Sequence, residues 1–270
     1  MERILTKYVV SVFNMSKVNK QIDEISIPPR YCGPPDTANG GYLAGILAGY
    51  FNLGSSVSIS FRAATPLGTV LSVVEAENDQ GKLIQIMDGE KILAIANTKP
   101  LDLPKPTLPI IEKIPKVKMQ CAGFESHPFP ECFVCGPDRP LGDGLGIYPG
   151  PVSNDDSNNT FSNIVAAEWE LLEELKNSEN QIKNEFIWAA LDCVSAFANL
   201  EKSENQYLVP MVLGNLSAKI ESPLEGEKAY VIAWPVKVEG RKAIANSAVF
   251  NQQQECIAIG QAVWISLNKI

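Results

Sequence analysis

Asp192 stands in Phe186-Ile187-Trp188-Ala189-Ala190-Leu191-Asp192-Cys193-Val194, a stretch that carries no other charge. A carboxylate buried in such surroundings without partners would be costly. The plain reading is that it faces solvent or caps a turn. The chemical reading is general-base work, orienting or deprotonating a water that attacks a carbonyl. Asn39-Gly40-Gly41 opens a second apolar stretch, continuing through Ala44, Gly45 and Ala48. Amides at a helix start sit at the positive end of the dipole, and glycines leave them unencumbered. Such donors can hold an oxygen on which charge develops. Glycines also let a sheet approach a helix closely, and both readings can hold together.

Cys132-x-x-Cys135, with His127 close by, invites a zinc reading. A structural zinc site takes four ligands, and no second cysteine pair or histidine at ligand spacing follows. No metal is expected on that ground. A redox Cys-x-x-Cys belongs at a helix start, a context that Pro137 and Pro140 do not supply. His127 is the one histidine in the chain, it lies in a proline-rich loop, and no Gly-x-Ser-x-Gly elbow accompanies it, which argues against a Ser-His-Asp hydrolase.

The 270 residues carry a formal net charge of −8. Phosphate binding rests on clustered Lys and Arg, so this balance speaks against a nucleic-acid partner. No apolar run is long enough to span a bilayer, and the first twenty residues do not read as a secretory signal. Six scattered cysteines without a signal point to reduced thiols in the cytoplasm.

The elements that would position these residues occur twice. Residues 58–68 (SISFRAATPLG) answer residues 215–226 (NLSAKIESPLEG), with Pro66 and Pro223 at matching places. The turn at residues 79–82 answers 239–242, and residues 90–97 answer 255–261. The offset, roughly 155–165 residues, is far too long for a solenoid. Two similar fused domains are the better reading: 1–100, a proline-rich linker over 101–123, and 124–270. Residues 6–15 read as an opening strand and the first helix as 39–51. Strands follow at 57–64, 69–76, 83–87 and 92–98. The linker, with no helical period, reads as extended. In the second half a polar loop at 153–163 precedes a strand at 164–169 and an acidic helical turn at 170–176. A helix over 183–200 and strands at 211–220, 228–238, 243–251 and 256–267 complete it. Aligning the two helices sets Gly41 or a neighbour against Asp192, so a single half supplies an acid and one competent site per chain is expected.

ANGGYLAGILA (38–48) resembles the glycine-led helix of hotdog thioesterases, especially the acyl-CoA thioesterase II type of double-hotdog protein. HPFPECFVCGPDRPLGDGLGIYPG (127–150) resembles the segment that leads into many thioesterase-superfamily hotdog domains, and FIWAALDC (186–193) resembles the helix bearing the acid. The likeness covers roughly residues 34–267. It implies an α+β double hotdog, each half an antiparallel sheet wrapped around one long helix, that hydrolyses an acyl-CoA or acyl-carrier thioester between the halves. In that pattern a strand glutamine, matched by Gln261, a strand hydroxyl or amide, here Asn215 or Ser217, and the helix acid Asp192 hold the water. Asn39, Gly40 and Gly41 would meet the thioester oxygen. Gln261 also has a cross-strand reading, since Asn97 is its counterpart in the first half. Arg62, Arg139 and Arg241 are candidates for the coenzyme A phosphates, although isolated arginines are usually just solvated. Candidates for the acyl tunnel are Tyr42, Ile46, Phe51, Trp188 and Phe197. Hotdog dehydratases use a helix histidine, and neither helix has one. No cofactor is implied, and a monomer or a homo-oligomer fits equally. The alternative is a hotdog that binds an acyl thioester without turnover, as a sensor or carrier.

Overall fold

The computed structural model describes residues 19–79, 81–109, 111–140, 142–152, 164–200 and 208–267. Among these residues eleven strands form one sheet: β1 (Lys20–Ser26), β2 (Val57–Phe61), β3 (Val70–Asn78), β4 (Gly81–Asp88), β5 (Lys91–Thr98), β6 (Gly150–Val152), β7 (Ile164–Glu170), β8 (Met211–Ile220), β9 (Lys228–Glu239), β10 (Lys242–Phe250) and β11 (Cys256–Ser266). The helices are α1 (Gly40–Ala48), α2 (Ile114–Val117) and α3 (Asn184–Phe197). Strand order is β1-β3-β4-β5-β2-β8-β11-β10-β9-β7-β6, with antiparallel neighbours throughout. Residues 20–98 supply one side and residues 150–266 the other. They meet where β2 pairs with β8, Ser58 opposite Ser217 and Ile59 opposite Leu216.

Side chains alternate across each strand, and the two faces differ. One face packs on the helices: Ile59, Leu71, Leu216, Ala262 and Trp264 share a core with Leu43, Leu47, Leu191 and Val194. On the other face Ile232, Trp234, Phe250 and Ile259 are covered by Ile114 and Val117 of α2.

All of α3 from Phe186 to Ser195 is buried, as expected of a helix apolar on every side. Hydrogen bonds fix it on the sheet. Ser247 Oγ donates to Leu191 O at 2.9 Å, and Trp264 Nε1 donates to Ser195 Oγ at 2.9 Å. The glycine-rich α1 survives because it lies directly on α3. A Cβ at Gly41 would fall 2.7 Å from the Ala189 Cα, and one at Gly45 2.3 Å from the Glu185 Cα. A side chain at either place would meet backbone, which cannot yield.

The expected opening strand at residues 6–15 and the polar loop at 153–163 lie outside the described residues, as does Gln80 of the expected first-half turn. β1 was not foreseen. Its residues are almost all exposed, so it lacks the alternation that marks a half-buried strand. The linker is not extended throughout: a 3-10 turn (Ile111–Lys113) runs into α2, because Ile114 and Val117, one turn apart, both bury on the sheet. The acidic turn is a 3-10 turn (Glu173–Leu175). No helix among the described residues is long and apolar enough to cross a membrane.

Candidate active site

A cavity of about 430 Å³ opens where the start of α1, the middle of α3 and the first residues of β8 converge. Leu43, Phe61, Ala196, Phe197, Leu208, Met211 and Leu213 give it an apolar wall. Asn39, Gly40 and Asp192 lie on the same wall.

Asp192 is 2% exposed. Its Oδ2 accepts the Gly41 N–H at 2.7 Å, while its Oδ1 is buried with no hydrogen-bond partner in the protein. Loss of hydration, which the Gly41 bond only partly offsets, pushes the carboxyl well above the ordinary 3.8. The Thr65 hydroxyl, also on the cavity wall, is a second buried group without a partner.

The structure does not bring Asn215 and Gln261 to this acid. Both lie on the opposite face of the sheet and neither lines the cavity. Asn215 Nδ2 donates to Ser58 Oγ, Ile59 O and Ser60 Oγ at 3.0, 2.9 and 3.1 Å, bridging the seam between the two halves. Ser217 Oγ donates to Ser58 Oγ at 2.8 Å across the same seam. Gln261 Nε2 donates to Asn246 Oδ1 at 3.0 Å, a cross-strand amide pair. The physical reason is pleat: Gly260, Ala262 and Trp264 turn toward α3, so Gln261 must turn away.

The first turn of α1 is already largely occupied. Gly41 N–H is taken by Asp192 and Tyr42 N–H by Asn39 Oδ1, the helix cap, at 2.9 Å. Gly41 therefore positions the acid and is not an open donor. Gly40 is the first-turn residue on the cavity wall whose amide these bonds do not use.

Sequence spacing missed what lies beside Asp192. Cys193 meets Cys132 and Cys135, and the three sulfurs lie within 4.8 Å of one another. Cys132 is pulled well below the ordinary thiol range by hydrogen bonds from Cys135 and Cys193, and those two are pushed up in turn. His127, lowered by burial, is on the same wall. The sequence does mark Cys132, Cys135 and His127; what it missed is the third thiol, whose only signal is the adjacency of Cys193 to the helix acid. Of the tunnel candidates, Phe197 lines the cavity. Tyr42 instead stacks on Tyr31 at 4.1 Å, and Trp188 is buried in the core. Arg62 and Arg241 border the cavity. Arg139 is committed elsewhere, its guanidinium held by Glu131 O, Arg30 O and Asp143.

No family model and no curated protein matches the sequence. Solved structures do match in three dimensions. An acyl-CoA thioesterase II from Mycobacterium marinum superposes with a TM-score of 0.59 at 10% identity, covering 94% of this chain and 96% of that one. A putative thioesterase from Novosphingobium aromaticivorans gives 0.57 at 11%, covering 91% and 95%. A hot dog protein of unknown function from Alicyclobacillus acidocaldarius gives 0.56 at 8%, covering 93% of each. The large antiparallel sheet and these likenesses together establish that the chain has the hot dog fold, shared over nearly its whole length with proteins that include thioesterases.

Proposed function

We propose that the chain is a double hotdog, with halves 1–100 and 124–270 joined by 101–123, that hydrolyses an acyl thioester such as acyl-CoA. One observation carries the reading: a buried carboxylate oxygen with no protein partner, on the wall of an apolar cavity and beside a helix start. Asp192 Oδ1 accepts a proton from water, and the oxygen adds to the thioester carbonyl carbon. The Gly40 N–H stabilises the resulting oxyanion. Collapse breaks the C–S bond, and the proton held on Asp192 passes to the departing sulfur, leaving acid and thiol. The Gly41 N–H fixes the carboxylate for this exchange, and the apolar wall takes the acyl chain. Arg62 and Arg241, at the border, supply charge for the phosphates of coenzyme A.

The test is thiol release from a panel of acyl-CoAs by wild-type protein and Asp192→Asn. A loss of about 10² or more is expected for a principal acid–base group; equal rates remove Asp192 from the mechanism. One observation favours a second reading, an acyl-thioester sensor or carrier. Asn215 and Gln261, which would help hold the water, are spent on the far face of the sheet. Acyl-CoA bound tightly and recovered intact from wild-type protein would establish that alternative.

A further inference from the structure

Cys132, Cys135 and Cys193 are all buried, and all three border the cavity. Two of them come from a single tight reversal of the chain. Gly136 N–H donates to Cys132 O at 2.9 Å, and a Cβ at Gly136 would fall 2.4 Å from Pro130 O. Glycine there lets the loop close so that both sulfurs reach one place. The third is delivered by α3, 61 residues after Cys132. The Cys132 and Cys193 sulfurs are 3.7 Å apart. A tetrahedral zinc ion with Zn–S bonds of about 2.3 Å would hold two sulfurs about 3.8 Å apart.

Donors surround the sulfurs on the protein side. Asn39 Nδ2 approaches Cys193 Sγ at 3.4 Å and Cys132 Sγ at 3.8 Å. His127 Nδ1 accepts the Phe129 N–H at 3.0 Å, which puts the ring proton on Nε2, 3.3 Å from Cys135 Sγ. Hydrogen bonds of this kind orient thiolate ligands and spread their charge. Nothing in the hydrolytic reading uses any of these contacts.

We propose that Cys132, Cys135 and Cys193 form a binding site for a thiophilic divalent cation, zinc foremost, with a fourth coordination position facing the cavity. Three soft sulfur ligands select such a cation over magnesium or calcium, and three protein ligands with one open position is the pattern of a zinc site that also takes water or a ligand. Binding is exchange without electron transfer: the cation replaces the thiol protons, which pass to solvent. The site stands whether or not Asp192 hydrolyses anything.

The experiment titrates reduced, full-length protein with Co²⁺ alone under argon, then with Zn²⁺. The expected result is a near-ultraviolet thiolate-to-cobalt band that saturates at one equivalent and is abolished by one equivalent of zinc. Cys256→Ser keeps the band, Cys193→Ser loses it, and His127→Ala weakens binding about 10–100-fold, the cost usual for a ligand-orienting partner. Should Cys193→Ser fail to melt cooperatively, the wild-type titration decides by itself. No thiolate band, or one without a stoichiometric end point, overturns the site. So does a folded Cys193→Ser that matches the wild-type titration.

Discussion

The two ends of the α1–α3 pair are packed alike and furnished differently. The helices run antiparallel, and a glycine of α1 meets the α3 backbone at each end: Gly41 lies on Ala189 at one and Gly45 lies on Glu185 at the other. At the first end the start of α1 meets Asp192 in an apolar cavity with three thiols and a histidine. At the second, the start of α3 meets Gly45 and Ile46 in a hollow bordered by Asn177, Gln181, Asn184, Glu185 and Glu221. Counted from their first residues, Ala48 of α1, not Gly41 or a neighbour as aligning the two sequences suggests, holds the place that Asp192 holds in α3. The contrast teaches that two helix starts can each border a hollow while, of these two, only one holds a buried acid with an oxygen left without a protein partner. Glu185 is a carboxylate too, but it is partly exposed at a polar rim.

The sharpest break of this comparison swaps each acid for its amide. Asp192→Asn should cost about 10²–10⁴ in thioester hydrolysis, the range for a positioned acid–base group, whereas Glu185→Gln should leave the rate within twofold of wild type. Initial rates of thiol release on one acyl-CoA measure both. If the two variants fall equally, the ends are equivalent after all and the asymmetry drawn from burial is mistaken.

Much of this arrangement is legible in the sequence, and the parts that are not have definite physical causes. An apolar helix with one acid already marks Asp192 as no ordinary surface residue, and matching punctuation around Pro66 and Pro223 marks β2–β5 and β8–β11. What periodicity could not give is which face Asn215 and Gln261 present. Gly214, Gly260 and Ala262 flank them in the two strands, residues too small to mark the core face by alternation. The meeting of Cys193 with Cys132 was invisible for a different reason. Local spacing rules address ligands a few residues apart, and here the third thiol arrives only when α3 docks. β1 escaped notice because a polar edge strand looks like a loop.

Glycine substitutions sharpen the comparison through packing. Gly41→Ala and Gly45→Ala each force a methyl against the backbone of α3 and should destabilise by about 1–3 kcal/mol or more, the usual cost of overpacking. Urea denaturation should find similar losses at both positions, since both meet backbone. Activity should separate them, because Gly41 also holds Asp192 through its amide. A Gly45→Ala protein that folds should keep its kcat; a Gly41→Ala protein that folds should not.

pH tests the buried acid in a different way. The folded-state value of Asp192 is raised by burial, so folding favours its protonated form. Its contribution to stability is therefore intact below the ordinary 3.8 and is lost progressively as pH rises from there through the raised value. Denaturation midpoints measured across that window should fall with pH more steeply for wild type than for Asp192→Asn. For hydrolysis the sign reverses: the base must be ionised, so kcat/KM should climb with pH along a limb displaced upward from 3.8, and Asp192→Asn should lack that limb.

The smallest effect concerns how each helix begins. Asn39 caps α1 by accepting the Tyr42 N–H and sends its amide toward Cys132 and Cys193, whereas Lys183 at the start of α3 makes no side-chain cap. Asn39→Ala should cost about 1 kcal/mol from the lost cap alone, and Lys183→Ala close to nothing. Asn39→Asp distinguishes the two duties of the side chain, since it preserves the capping oxygen and removes the donor to sulfur. If it melts like wild type yet weakens cobalt binding, Asn39 serves the thiols as well as the helix. If both properties stay at wild-type values, the cap is its whole role at this end, and the contrast with Lys183 narrows to a single hydrogen bond.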